Sequence, residues 1–289
     1  MTTNLDLGPG LPHGKTPASK SPPGLTLTVR DRRFAREHAL QRGWAGGDPV
    51  ASAWLTALSA SFPRGEAMFI DAVKAHRDGV PPQLEGEIRD FIRQEVNHSR
   101  EHLAFNRAAS EAGYDLSAID ERVAALVAMT YTRPPIVRLA ITTSLEHFTA
   151  IFAHQFLAFP EHFKGSDSEL ADLWRWHAVE EIEHKAVAYD TFLHATRDWP
   201  EFRRWLLRTM VMLDVTVRFI TNRCRDALEL LAQDGITGWR ARWRLTAYLL
   251  HKPGILRRLA PGWLSWFAPG FHPWNHDDRH LLDRAAEPA

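Results

Sequence analysis

Two segments of this sequence place a glutamate and a histidine three residues apart within apolar surroundings. The first pair is Glu95 and His98, and the second is Glu181 and His184. At about 100° per residue, a step of three residues keeps both side chains on one face of a helix. Burying such side chains without partners costs several kcal/mol, whereas a metal ion accepts both kinds of group as ligands. The two pairs therefore predict metal chemistry.

Two further segments each supply one acid on an apolar or small-residue face, Glu66 in GEAMF and Glu146 in TSLEHFT. The resulting order along the chain is Glu, Glu-x-x-His, Glu, Glu-x-x-His, which is the ligand set of di-iron and di-manganese carboxylate bundles. The predicted ligands of two metal ions are therefore Glu66, Glu95, His98, Glu146, Glu181 and His184.

We expect the first three of these ligands to hold one ion and the last three to hold the other. Glu95 and Glu181, one from each pair, are the predicted bridging and catalytic carboxylates. The alternative is an exposed face of salt bridges with Arg93, Arg100 and Lys185 as partners. It is disfavoured because the acids share their faces with aromatic and aliphatic residues.

Four more residues are candidates for a supporting role around the ligands. His102 and His177 lie on the same helical stripes, either as extra ligands, as partners that orient a carboxylate, or as hydrogen-bonded core histidines. Glu180 is an alternative to Glu181, although the three-residue step to the histidine favours Glu181. Tyr189 follows the second pair by a short distance, and the alternative there is an ordinary tyrosine at the rim of the core.

The elements that position these residues are predicted to be helices. Apolar residues recur at three- and four-residue steps, and proline, glycine and N-cap residues divide the chain. We predict a break at Phe62-Pro63-Arg64-Gly65, a capping box at Ser166 and Glu169, and solvent-exposed Glu183 and Lys185. The predicted helices span about Pro49–Phe62, Pro63–His76, Pro82–Ala112, Ser117–Met129, Pro135–Phe159, Ser166–Thr196 and Glu201–Gln233.

The predicted fold is all-α, a ferritin-like four-helix bundle with additional N- and C-terminal helices. We expect a flexible tail over residues 1–27, the metal-binding bundle over 28–198, and a basic, tryptophan-rich extension over 199–289 that packs on the bundle. The first segment is rich in Gly, Pro, Ser and Thr and has no apolar central stretch, so it resembles neither a helix nor a secretory signal.

Several of these segments resemble a known bacterial family. The strings FPRGEAMFI, FIRQEVNHSREHLAFN, SLEHFTAIFAHQFL and WHAVEEIEHKAVAYD, with HPW near the C-terminus, are similar to the conserved blocks of the predicted metal-dependent hydrolases, which resemble ferritin-like proteins. The resemblance covers roughly residues 30 to 275. It implies metal binding at the same six positions, and the family's name implies hydrolysis.

Composition excludes several other classes of protein. The chain has 289 residues, 45% of them hydrophobic, with 35 basic and 35 acidic side chains, so it is neither disordered nor uniformly basic. The single cysteine, Cys224, excludes an internal disulfide and a cysteine-built metal site. Because no stretch free of charge reaches the length of a membrane span, we expect a cytoplasmic protein.

A carboxylate-rich site with only two histidines suits iron better than structural zinc, with manganese and zinc as alternatives. The leading hypothesis is a di-iron oxidoreductase that activates dioxygen to hydroxylate or desaturate a small apolar substrate, supplied with electrons by a donor protein. The alternative is a hydrolase that uses a water bridging the two metal ions. Metal storage is disfavoured because ferritin-type cages are built from chains of roughly half this length.

The C-terminal third differs in character from the rest of the chain. Residues 199–260 contain twelve Arg and Lys against five Asp and Glu, interleaved with Trp205, Trp239 and Trp243. Arginine and tryptophan on amphipathic helices are typical of a membrane interface, which predicts peripheral membrane contact, at the inner face for a cytoplasmic protein. Packing on the bundle or on a second copy in a homodimer is the alternative, and nucleic acid is not an expected partner because no recognition motif accompanies the charge.

Overall fold

The computed structural model of the protein describes residues 21–34 and 39–286, so the predicted flexible tail lies largely outside the described residues. Within these ranges the chain is all-α, as predicted, and no strand occurs. The helices are α1 (Pro49–Lys74), α2 (Pro82–Glu111), α3 (Ser117–Tyr131), α4 (Pro135–Ala158), α5 (Ser168–His184), α6 (Val187–Ala195), α7 (Glu201–Gln233), α8 (Gly238–Leu250), α9 (Ile255–Ser265) and α10 (Arg279–Ala286).

Four of these helices surround the residues predicted to bind metal. Helix α1 packs against α2, α4 packs against α5, and contacts of α1 with α4 and of α2 with α5 complete the arrangement. Their facing sides carry the apolar core, which includes the fully buried Phe91, Phe105 and Leu139. The ferritin-like identity of this bundle and the proposed domain boundaries remain predictions.

The predicted break at Pro63 is wrong, because α1 continues through it to Lys74. Proline has no N–H to donate to the carbonyl four residues earlier, which here belongs to Ser59. The Asn106 side chain of α2 donates to that carbonyl instead, over 3.2 Å. A neighbouring helix thus satisfies the acceptor that Pro63 leaves open, and Glu66 remains in the same helix as the residues that precede it.

The predicted helix Ser166–Thr196 differs from the structure at its start and near its middle. Its N-cap is Asp167, whose carboxylate accepts from the backbone N–H groups of Glu169 and Leu170. The helix then ends at His184, and α6 begins at Val187. Since Asp167 is one residue further along than the predicted cap, the capping box does not form.

Glu183 and Lys185 are buried rather than exposed, which corrects their predicted position. Lys185 donates to Asp278 at 2.6 Å and to the carbonyl of His276 at 2.7 Å, and its ammonium lies over the Trp274 ring. The C-terminal segment therefore folds back over the end of α5 and provides the partners that a buried lysine requires.

Helix α7 has the predicted bounds and packs along α1 and α4. Helix α4 is the one candidate for a membrane-spanning segment in the described part of the chain, by length and composition, and 61% of that stretch is buried inside the protein. A helix buried to this extent belongs to the core of the protein, and α4 lies between α1, α5 and α7.

Candidate metal centre

The six predicted ligands all project into the interior of the four-helix arrangement. Glu66 comes from α1, Glu95 and His98 from α2, Glu146 from α4, and Glu181 and His184 from α5. Each residue is 3% exposed or less. The structure therefore brings together, in one buried place, the acids and imidazoles that the spacing singled out.

The ligand atoms form two compact groups. Glu66, His98 and His177 offer one set, and Glu95, Glu181 and His184 offer the other, with the ligand atoms of each set within 4.8 Å of one another. This grouping differs from the expected one, because His177 rather than Glu95 accompanies Glu66 and His98. Glu95, the glutamate of the pair on α2, thus lies beside His184, the histidine of the pair on α5.

Short distances connect the two groups. His184 Nε2 lies 3.2 Å from Glu95 Oε1, 3.5 Å from Glu181 Oε2 and 3.6 Å from Glu146 Oε2. His98 Nδ1 lies 3.6 Å from Glu181 Oε1 and 3.8 Å from Glu95 Oε1. Glu95 and Glu181 lie near both histidines, which is the placement that bridging carboxylates need, and Glu146 adjoins the second group.

Hydrogen bonds on the outer side orient the two Glu-x-x-His imidazoles. His184 Nδ1 contacts Gln94 Oε1 at 3.0 Å, and because the amide oxygen can only accept, Nδ1 carries the proton. His98 Nε2 contacts the Glu180 carboxyl group at 3.1 Å. The other nitrogen of each ring, His184 Nε2 or His98 Nδ1, therefore faces the centre, and that of His184 turns an electron pair toward it.

A chain of four polar residues orients His177 in the same way. Ser59 donates to Asn106 Oδ1 at 2.7 Å, so its oxygen accepts from His102 Nδ1 at 2.9 Å. His102 Nε2 then accepts from His177 Nδ1 at 2.7 Å. His177 Nε2 faces inward, 2.8 Å from Glu181 and 3.9 Å from Glu66, and the short contact with Glu181 holds a proton that a bound metal ion would displace. His177 can thus act as a ligand, and His102 supports it from behind.

The electrostatics of the cluster favour protonated carboxyl groups in the metal-free protein. Burial, and then neighbouring carboxylates, raise the pKa values of Glu95 and Glu146 well above normal. Burial also raises the pKa of Glu66, although Ser99 donates to it. Burial alone would raise the pKa of Glu181, but the neighbouring His184 and His177 outweigh burial and lower that pKa. Negative charge is therefore concentrated on Glu181.

Burial lowers the pKa of His98 well below its usual value, and neighbouring histidines act in the same direction. The same causes lower the pKa of His102. Both rings are thus neutral at physiological pH, which is the form in which imidazole binds metal ions.

Buried polar atoms without hydrogen-bond partners indicate whether a metal ion fits between the six predicted ligands. Buried side-chain atoms without a hydrogen-bond partner in the described part of the chain include at least one from every predicted ligand, namely Glu66 Oε1, both oxygens of Glu95 and of Glu146, His98 Nδ1, Glu181 Oε2 and His184 Nε2. Such groups are rare in folded proteins because each one costs stability. Carboxylate and imidazole atoms that meet in one place fit divalent cations, which would satisfy them together.

An outer layer of charges holds the helix that carries the second pair. Arg30 donates to Glu183 at 2.7 Å, and its backbone N–H donates to Glu180 at 2.8 Å. Gln94 donates to Glu183 at 3.0 Å. Burial raises the pKa of Glu180 to about 8, against the effect of Arg30. Glu180 thus contacts His98 and Arg30 from the outer side, while Glu181 faces the centre.

Tyr189 belongs to another part of the structure. Its hydroxyl donates to the carbonyl of Phe271 at 2.8 Å, and its ring packs on Trp266 and Phe271. It is a member of neither ligand group and anchors the C-terminal segment.

Sequence reasoning missed Gln94, Ser59 and Asn106, which orient the histidines. Their contacts cross between different helices, over 47 residues for Ser59 and Asn106 and over 90 residues for Gln94 and His184. Ser and Asn inside a helix are common and carry no spacing signal, so only the packing of α1 on α2 reveals this role. Gln94 does lie directly before Glu95, but adjacency in a helix does not indicate a shared face.

Two apolar cavities adjoin the centre. The larger, about 180 Å³, reaches Glu66 and is bounded by Phe62, Leu145 and Phe219 among other side chains. The smaller, about 30 Å³, has Glu181 and His177 in its wall. Both ligand groups therefore have a face that a bound molecule can approach.

Comparison with known proteins gives one match. Residues 28–277 match the model of a family described as predicted metal-dependent hydrolase. Neither the curated proteins nor the solved structures contain a match.

Proposed function

Since the chain belongs to the family of predicted metal-dependent hydrolases, we propose that it is an enzyme that hydrolyses its substrate at a centre of two metal ions in the four-helix interior. The observation that carries the proposal is the set of unpartnered carboxylate and imidazole atoms, contributed by all six predicted ligands. Family membership and the two residue groups support metal dependence together.

The proposed ligands follow the observed grouping. Glu66, His98 and His177 would hold one ion, and Glu95, Glu181 and His184 the other. Paired ions of this kind lower the pKa of a water molecule and stabilise the negative charge that develops on a substrate oxygen. In hydrolysis of an ester, the water oxygen bonds to the acyl carbon, the bond to the leaving oxygen breaks, and the leaving oxygen takes up a proton.

The chain's own residues would position the reactants. Glu66 and Glu181 lie in the walls of the two cavities, so a substrate there meets a carboxylate of each ligand group. Phe62 lies in both cavity walls and packs edge-on against the rings of His102 and His177. It would keep the supporting histidine chain shielded from water when a substrate is bound.

A second candidate is the dioxygen-activating di-iron oxidoreductase, and the apolar cavity favours it. Hydroxylation places one oxygen atom of dioxygen in a C–H bond and reduces the other to water, with two electrons from a donor protein. Such a reaction needs an apolar site beside the metals rather than groups that bind a polar scissile bond. The excess of carboxylate over imidazole in the donor set suits iron or manganese.

Turnover with and without dioxygen separates the two candidates. Protein loaded with zinc or manganese is incubated anaerobically with acyl esters of p-nitrophenol, and protein loaded with ferrous iron is followed for oxygen uptake. Hydrolysis predicts anaerobic ester cleavage that is lost in Glu95→Gln and retained in Glu85→Gln, an exposed glutamate of the same helix. Oxygen uptake by the iron-loaded protein, without ester cleavage under any metal, would refute hydrolysis in favour of the second candidate.

A further inference from the structure

The larger cavity has apolar walls contributed by several helices. Helix α1 supplies Phe62, α3 supplies Leu126 and Val127, α4 supplies Leu145, and α7 supplies Val215. Side chains of this kind exclude water and favour an apolar guest. The cavity is therefore suited to a hydrocarbon chain rather than to a sugar or a nucleotide.

A smaller apolar cavity adjoins both the larger one and the second ligand group. The smaller cavity shares Phe62, Thr149 and Phe219 with the larger one. Further in, its walls are largely aromatic and include Phe152 and Trp174. The two cavities therefore adjoin at these shared side chains, and Glu66 lies in the wall of the larger one.

Two of the three arginines in the wall of the larger cavity are paired with acids, namely the exposed Arg218 and the buried Arg223. Arg218 is paired with Asp214 at 2.8 Å, and Arg223 is paired with Asp226 at 2.5 Å. Arg133 is exposed and has no acidic partner among the described residues. The outer end therefore carries one unbalanced positive charge, which complements an anionic group.

We propose that this cavity binds a single-chain amphiphile with an anionic head, with the head at Arg133 and Arg218 and the apolar chain directed toward Glu66. This inference rests on the second candidate of the proposed function, the hydroxylation of an apolar substrate, because a hydrocarbon chain that reaches Glu66 offers a C–H bond and no bond to hydrolyse. A charged head stays hydrated at the exposed end, where it avoids the cost of burial. Each methylene group buried in the cavity tightens binding by about fourfold, so affinity should rise with chain length until the cavity is full.

Calorimetric titration with decanoate and with decanol tests the proposal. We expect decanoate to bind more tightly than hexanoate, and Arg133→Ala to weaken decanoate binding about tenfold while decanol binding is unchanged. Equal affinities of the wild-type protein for decanoate and decanol, or no effect of Arg133→Ala, would overturn the anionic head.

A cavity-filling variant tests the location of the chain. Gly65 lies in the cavity wall, and a Cβ there would meet only Phe69, at 3.9 Å, so Gly65→Leu should fold with its side chain in the cavity. The control is Gly86→Leu, in α2 and outside the cavity walls. We expect at least tenfold weaker decanoate binding in Gly65→Leu alone. Unchanged binding in that variant would overturn the proposed location.

These measurements need no turnover, so they separate this inference from the proposed function. Decanoate binding to a protein that binds no metal would refute the metal centre and leave the amphiphile site standing. Metal binding without decanoate binding would refute the amphiphile site and leave the metal centre standing.

A second inference comes from α8, whose outer face is basic and aromatic. Trp239 and Trp243 are 77% and 68% exposed. Arg240, Arg242 and Arg244 are exposed beside them, and the described residues give none of the three an acidic partner. Indole rings favour the headgroup level of a bilayer and arginine attracts anionic lipid, so we infer that α8 binds an anionic membrane surface.

Co-sedimentation with vesicles tests this inference. Vesicles rich in phosphatidylglycerol should capture the wild-type protein, phosphatidylcholine vesicles should not, and a double variant of Trp239→Ala and Trp243→Ala should lose most of the binding. Leu103→Ala, which removes an exposed apolar side chain from α2, is the control. Loss of dimerisation in the double variant, with no vesicle binding by the wild type, would instead identify the face as a contact between two copies.

Discussion

Glu146→Leu should stabilise the metal-free protein while weakening its affinity for metal. The side chain is buried, and neither carboxylate oxygen has a partner. A buried polar group without partners costs about 1–3 kcal/mol, and leucine has a similar volume without that cost. For a chain of this size, about 1–3 kcal/mol corresponds to a rise of roughly 2–6 °C in Tm.

The assay is thermal unfolding with and without added metal. A ligand present at 100 times its Kd stabilises the folded state by about 2.7 kcal/mol. Metal should therefore raise the Tm of the wild-type protein by an amount comparable with the gain in metal-free Glu146→Leu, while the variant gains less from metal. Glu85→Leu, at an exposed position, is the control and should change stability by less than about 0.5 kcal/mol. A metal-free Glu146→Leu that is less stable than the wild type, or that gains as much from metal, would refute the reasoning.

Three further outcomes are expected. Burial raises the pKa of Glu95 and brings that of Glu180 to about 8, so at neutral pH the metal-free protein binds more protons when folded than when unfolded. Its free energy of unfolding in urea should therefore fall as the pH rises above about 7, where histidines of the unfolded chain are neutral. Bound metal, which needs Glu95 ionised, should reduce this slope, and a slope of opposite sign would contradict the charge assignment. Gln94→Leu removes the acceptor of His184 Nδ1 and should weaken metal binding about 10–100-fold in competition with a chelating dye, whereas unchanged affinity would show that the outer hydrogen bond has no role. Asp226→Ala removes the carboxylate that pairs with the buried Arg223, so the free energy of unfolding, measured in urea, should fall by about 3–5 kcal/mol. A decrease of less than about 1 kcal/mol would contradict this.

The part of the site that the sequence predicts is the part that depends on local helix geometry. The step from Glu95 to His98, and from Glu181 to His184, is determined within one helix, so spacing is sufficient to place each pair on one face. The all-α class and the bounds of α7 follow from similar local signals. These features need no knowledge of how the helices pack.

The features that the sequence did not reveal depend on contacts between helices. The stripe within α5 predicts His177 as a possible extra ligand, but its grouping with Glu66 and His98 depends on how the helices pack, which no spacing within α5 encodes. Pro63 lies inside α1 because Asn106 from another helix satisfies the free carbonyl. Lys185 is buried because a segment about 90 residues further along supplies Asp278, a contact that no rule of short range anticipates.

Metal content measured by mass spectrometry on the purified protein tests the central claim most directly. The account predicts two metal ions per chain in the wild-type protein, and loss of one ion when His177→Ala or His184→Ala removes a ligand from one group. A wild-type protein that binds no metal after incubation with iron, manganese and zinc, or variants with undiminished content, would contradict the claim that these groups form a two-metal centre.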